Sequence, residues 1–240
     1  MTIIYIVGAV VLGLVVSWFI FLFITALCEK QYLSGDIEPV SEPFPYKPSP
    51  YWLATGEHAR MAGLIRVGNF ATKRNTSIVK GLASAWVTPD RTTIMNVVGG
   101  SFAGMPLKKT VLRSRLADGR VLESTDNPYV GDPTGLIEMA VLLNAGVPEL
   151  LEFHRQRLLQ STSPAVPFAR PDVQMEWEQI DLERGARLVQ MGFARWVDPQ
   201  HTMTRATVRG ALRFLFHGQG KQMRQLHDQQ GRTSVKRAGT

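Results

Sequence analysis

Residues Ile3 to Cys28, IIYIVGAVVLGLVVSWFIFLFITALC, form a run of 26 residues without a charged side chain. At ~1.5 Å of rise per residue a helix of that length reaches about 39 Å, beyond the ~30 Å hydrocarbon core of a bilayer. A backbone in lipid must satisfy its own hydrogen bonds, and a helix does so. The run therefore predicts a single transmembrane helix, residues 1–30 with its flanks, and makes the remaining chain a body tied to a bilayer. Two processed alternatives fit less well. A cleaved signal peptide calls for Lys or Arg at its start and an apolar core of ~7 to 15 residues, whereas only Met1 and Thr2 precede this longer run. A lipid-modified Cys28 calls for a small residue before it, and Leu27 stands there.

Within the run, Ala9, Gly13 and Ser17 recur every four residues. They share one side of the helix, where small side chains admit a second helix and so a protein partner. No Lys or Arg precedes the run and Lys30 follows it at once. By the positive-inside rule this places the body on the cytoplasmic side.

Beyond Cys28 lie 212 residues, enough for one large or two small domains with a core of their own. A single cysteine rules out an internal disulfide. Charge is unevenly placed. Residues 29–200 carry 19 Lys and Arg against 19 Asp and Glu, while the last forty carry eight basic residues against Asp228 alone. The net +7 of the chain therefore sits at its C-terminal end, where it would draw anionic headgroups or an acidic partner.

Prolines at 39, 43, 45, 48 and 50 punctuate Ser34–Pro50. Proline fixes φ and removes a backbone donor, so residues 31–50 are expected as a stalk, in which Ser34–Pro50 would reach about 50 Å in a polyproline conformation. Phe44, Tyr46, Tyr51 and Trp52 offer the alternative of folding that stretch onto the body. Residues 51–162 are expected as an α+β domain. A short helix covers Trp52 to about Gly63. Five runs rich in β-branched and aromatic residues follow: Leu64–Phe70, Leu82–Thr88, Thr92–Val98, Thr110–Leu116 and Val121–Thr125. Pro89-Asp90 and Asp118-Gly119 are turn pairs between them, and the short connections imply an antiparallel β-meander.

Leu136–Asn144 is open between strand and helix. Pro148 opens a helix with leucines at 150, 151, 158 and 159, expected to pack on the sheet. A second proline-bearing loop, Ser163–Pro171, precedes a helical C-terminal unit, residues 172–217. There Asp172 is the candidate N-cap of a helix that Gly192 closes, and FARWVDP is expected as a short extended piece before Pro199. From Thr204 helical spacing resumes, with Val208, Ala211, Leu212 and Leu215 as an apolar stripe edged by Arg205, Arg209 and Arg213. Residues 218–240 are a basic polar tail, expected as disordered from about Gly231.

The fold class that follows is α+β: a single transmembrane helix, an antiparallel meander domain with packed helices, and a helical C-terminal unit. Sites of chemistry are scarce. The Gly-rich stretch Gly99–Thr110 carries Gly99, Gly100 and Gly104 with Lys108 and Lys109, a candidate anion loop, but its spacing is not that of a phosphate-binding P-loop. No histidines stand at metal-ligand spacing, and no nucleophile motif is present. His154 is expected at the edge of a packed helix face. No cofactor is implied, and the basic residues lack the aromatic interleaving or helix-turn-helix pattern of a nucleic-acid binder.

The expected role is a non-enzymatic, single-pass scaffold. Its basic C-terminal helix (Arg205, Arg209, Arg213, Val208, Leu212, Leu215) would contact anionic lipid or a partner protein. The second reading is a membrane-anchored enzyme that binds a phosphorylated or lipid substrate at the Gly99–Gly104 loop.

Overall fold

The computed structural model describes residues 30–32, 37–72, 79–102, 105–127, 131–168 and 173–213, together with nine positions between Gly13 and Leu27. The expected span Ile3–Cys28 thus lies largely outside the described residues, as do Ala9, Gly104, Asp172, Leu215 and the tail 218–240. Gly13 and Ser17 are helical and exposed. No helix of the described residues is long and apolar enough to cross a membrane.

The body is α+β, built on a seven-stranded, mostly antiparallel sheet. In chain order its strands are β2 (Ile37–Pro39), β3 (Ile65–Thr72), β4 (Val79–Val87), β5 (Ile94–Phe102), β6 (Met105–Arg115), β7 (Val121–Thr125) and β8 (Ile137–Val141). They lie side by side in that same order. The five predicted runs are all strands, β3 to β7, each paired antiparallel with the next. Turn chemistry sets the hairpins. Between β6 and β7, Gly119 takes φ +85° and its N–H donates to the Leu116 carbonyl, a three-residue loop ending in a left-handed residue. The open segment resolves as β8, parallel to β7 with Val121 beside Ile137.

Two helices cover one face. Helix α1 (Pro50–Met61) starts with Ser49 as N-cap, whose Oγ accepts the Trp52 N–H, and Pro50 fits the first turn because its missing donor is not needed there. Helix α2 (Val147–Gln160) follows Gly146, whose N–H donates to Glu149 Oε2 at 2.9 Å. Trp52, Ala59, Leu82, Trp86, Met95, Val97, Leu112, Val147 and Leu150 form the main core between them and the sheet.

Helix α3 (Val173–Gln190) lies on the opposite face. Consecutive residues of a strand diverge, so Leu112 and Ser114 of β6 meet the first face while Arg113 and Arg115 meet α3. Arg113 bonds Glu123 Oε2 at 2.6 Å and Asp181 Oδ1 at 2.9 Å, with its guanidinium 3.8 Å from the Trp177 ring centroid. Arg115 bonds Glu183, and Arg184 bonds Asp132. Val87, Ile94 and Phe168 pack with Trp177. Residues 173–190 are therefore joined to the sheet domain through ion pairs and a shared core.

Two expectations are corrected. The proline-rich stretch 31–50 is not an extended stalk: β2 pairs with β3, Pro39 opposite Phe70, and Val40 N–H donates to Asn69 O. An edge strand tolerates proline because its outer side has no ladder donor to supply. Past β2 the chain straps across the sheet, with Phe44 edge-on to Trp52 at 5.5 Å and Tyr46 against the core.

The C-terminal unit, in turn, is not wholly helical. Strand β1 (Lys30–Tyr32), β10 (Met203–Ala206) and β9 (Ala194–Trp196) make a second sheet in the order β1-β10-β9. Helix α4 (Val208–Arg213) begins only after it, so Arg205 belongs to a strand.

Candidate functional site

The predicted basic stripe is split by this second sheet. Asp198 ties the β9–β10 turn by accepting from the N–H groups of Thr202 and Met203. Helix α3 ends as expected at Gly192, φ +72°, where the Phe193 N–H reaches back to the Leu188 carbonyl. Thr207 then caps α4. Its Oγ1 accepts the Gly210 N–H at 3.1 Å and donates to the Gly192 carbonyl at 2.8 Å, locking α4 onto the turn that ends α3.

Gly210 is required there. A Cβ built on it would stand 1.9 Å from the Phe193 carbonyl oxygen, so only glycine allows this approach. A glycine inside a helix costs stability, and here close packing is the reason it is present.

Docked this way, α4 turns the expected amphipathicity partly around. Ala211 is fully buried, while Val208 and Leu212 remain 58% and 44% exposed. Arg209 and Arg213 lie with their guanidinium carbons 5.1 and 4.8 Å from the Phe193 ring centroid. Just upstream, Lys30 is the backbone partner of Arg205. The first described residues after the apolar run are thus paired to the strand that leads into α4.

The Gly-rich stretch is rearranged more deeply. Gly99 and Gly100 lie inside β5, and Lys108 and Lys109 inside β6, so this is a long hairpin and not a phosphate-cradling loop. Lys108 pairs with Gly99 and Lys109 with Val98, and the two lysines therefore project to opposite faces. They do not converge on one anion. Gly99 packs beneath the start of α1, and a cleft of about 410 Å³ opens beside it between the strap and strands β4 and β5. Nearby, Tyr51 donates to Asp126 Oδ2 at 2.7 Å and lies 2.6 Å from Thr110 Oγ1. Burial, reinforced by Asp126, raises the phenol above its ordinary range.

His154 is not at an edge but 1% exposed. Its Nε2 lies 2.9 Å from Ser114 Oγ and its Nδ1 2.9 Å from Ser124 Oγ. Ser114 Oγ continues to Thr93 Oγ1 at 2.8 Å, and Arg157 donates to Ser124 Oγ and to the Glu123 carbonyl. A neutral imidazole supplies one donor and one acceptor, and the rotatable hydroxyls complete the chain. Burial, then the charge of Arg157, pushes the imidazole down to about 3. With Ser114 and Ser124 both fully buried, no substrate reaches this serine–histidine pair, and it serves packing.

Comparison of the chain with protein-family models, curated proteins and solved structures finds no match. The functional reading rests on the residues themselves.

Proposed function

We propose that the protein is a single-pass, membrane-anchored interaction module whose strand β10 and helix α4 lie against the leaflet from which its body emerges. What supports this is the backbone pairing of β1 with β10, Lys30 opposite Arg205. Two residues carry the chain from Cys28 to Lys30, a reach of about 7 Å. With Ile3–Cys28 in the bilayer, β10 is held at the surface, and α4 starts two residues past its end.

The chemistry of α4 suits that place. Val208 and Leu212 are apolar and exposed, one helical turn apart, and enter the interfacial region. Arg209 and Arg213 follow them on the same short helix, each worth ~1 kcal/mol near an anionic surface. The anchor supplies the high local concentration of lipid that makes so small a contact populated. The non-enzymatic reading comes from the sequence, which carries no catalytic motif, and the body on this reading faces the cytoplasm.

The test uses the full chain in nanodiscs, with Cys28→Ser and an environment-sensitive fluorophore on Leu212→Cys. Emission shifts to the blue when phosphatidylserine is included and returns at high salt. A water-like emission in both neutral and anionic discs would remove the lipid contact and leave an acidic protein as the partner to seek.

A further inference from the structure

We propose that the cleft beside Gly99 binds a small phosphate-bearing ligand, either free in solution or as the headgroup of a lipid. Its volume, about 410 Å³, lies within the range of ~300 to 1,000 Å³ usual for small-molecule sites. The strap forms one wall with Tyr46, Lys47 and Ser49; the floor is the bare backbone of Gly81, Gly99 and Gly100, ending at Ser101. Glycine in the middle of strands costs stability and marks a place where another group approaches the backbone closely.

At Gly99 that group is α1 itself, because Ser49 and Trp52 occupy the space a Cβ would need. The contact fixes the strap at its C-terminal end and leaves the space over Gly100 and Ser101 open.

The lining chemistry selects an anion. Its lining residues include three that carry a hydroxyl, Tyr46, Ser49 and Ser101, and one that carries an ammonium, Lys47, and none that carries a carboxylate. Ser49 Oγ accepts from Trp52 N–H, which leaves its own proton to donate. A second ammonium stands near, since Lys108 is the cross-strand partner of Gly99, on the same face and exposed. Neither Lys47 nor Lys108 makes an ion pair among the described residues. Two unpaired ammonium groups and donor hydroxyls around a concave floor match a phosphate, which takes charge-assisted hydrogen bonds on several oxygens. Lys109, singled out with Lys108 in the sequence, faces the other side and takes no part.

The full chain in zwitterionic nanodiscs is titrated calorimetrically with glycerol 3-phosphate. In parallel, amide hydrogen exchange across residues 45–49 and 99–101 is compared between discs with and without phosphatidic acid. The site is expected to bind glycerol 3-phosphate, with Lys47→Ala weakening it about tenfold and Ser101→Phe, which fills the cleft, abolishing it. Exchange slowed only by phosphatidic acid, and restored in both variants, assigns the same site to a lipid headgroup. Lys47→Glu replaces Ser101→Phe should the bulky variant unfold.

No heat with glycerol 3-phosphate together with no protection by phosphatidic acid overturns the proposal. So does binding that survives Lys47→Glu. The soluble arm involves neither α4 nor an anionic leaflet, so its outcome is independent of the membrane contact proposed above.

Discussion

Gly99 lies so close beneath Ser49 that a Cβ built on it would stand 2.6 Å from the Ser49 Oγ, and equally near the Cβ of Trp52. The start of α1 therefore rests on the sheet backbone itself. Gly99→Ala forces that end of the helix, and the strap with it, away from β5. Overpacking of this kind costs ~1 to 3 kcal/mol. Gly81→Ala, one strand away, meets nothing closer than 3.9 Å and is expected to change stability by less than half as much. Denaturant unfolding of the two variants in mild detergent checks the contrast.

Gly210→Ala is the more severe substitution, because the clash at 1.9 Å is with the Phe193 backbone, which cannot rotate away. Helix α4 is expected to detach while the seven-stranded sheet stays folded. Hydrogen exchange then rises across 207–213 and stays unchanged in β4 to β6. Retained protection in 207–213 would show that α4 is not held by this contact.

His154 makes stability depend on pH. Its folded value, about 3, lies below the ~6.5 of an unfolded histidine, so between those values only the unfolded chain takes up the proton. Stability falls as pH drops through that window, with a slope of up to ~1.4 kcal/mol per unit from this group. His154→Gln, which keeps a donor and an acceptor without titrating, removes that part of the slope. Urea unfolding at intervals from pH 7 to pH 4.5 reads the difference.

The Arg113–Glu123–Asp181 cluster is expected to behave as a unit. Glu123→Gln leaves a buried guanidinium with one charged partner fewer, a loss of about 3 to 5 kcal/mol for a pair this enclosed. Pairing Arg113→Met with Glu123→Leu removes both buried charges and recovers part of that loss, the remainder staying with Asp181, which is left without its cation. A double-mutant cycle measures the coupling, and additive effects would mean that the pair contributes nothing as a pair.

The sequence made the sheet largely readable, because β3 to β7 are successive hairpins and each carries its own signals: β-branched runs, Asp118-Gly119, Pro89-Asp90. Helix ends were readable for the same local reason, as at Gly192. Where the sequence misled, the deciding interaction was remote. The prolines of 37–50 forbid a central strand but permit an edge, and only the aromatic side chains between them hint that the strap packs against the core. Thr204–Ala206 has helical spacing on paper, yet it is a strand between two partners, the nearby Ala194–Trp196 and Lys30–Tyr32, the second more than 170 residues earlier.

The polar interior was the least legible. His154 sits among leucines at helical spacing and looks like an edge residue, while the serines that satisfy it lie 30 and 40 residues away on two strands. Arg113 and Asp181 are 68 residues apart. No local pattern announces either group. The cleft is foreshadowed only by its glycines, and a glycine-rich strand and a glycine-rich turn look alike in composition.

The union of β1 with β10 also imposes an order of events during synthesis. On a chain anchored as proposed, Ile3–Cys28 enters the membrane while most of the body is still to be made, and the seven-stranded sheet forms as its hairpins emerge in sequence. Strand β1 waits throughout, because its partner arrives only when Ala206 leaves the ribosome. Assembly therefore closes beside the lipid, with the last strand delivered to the first.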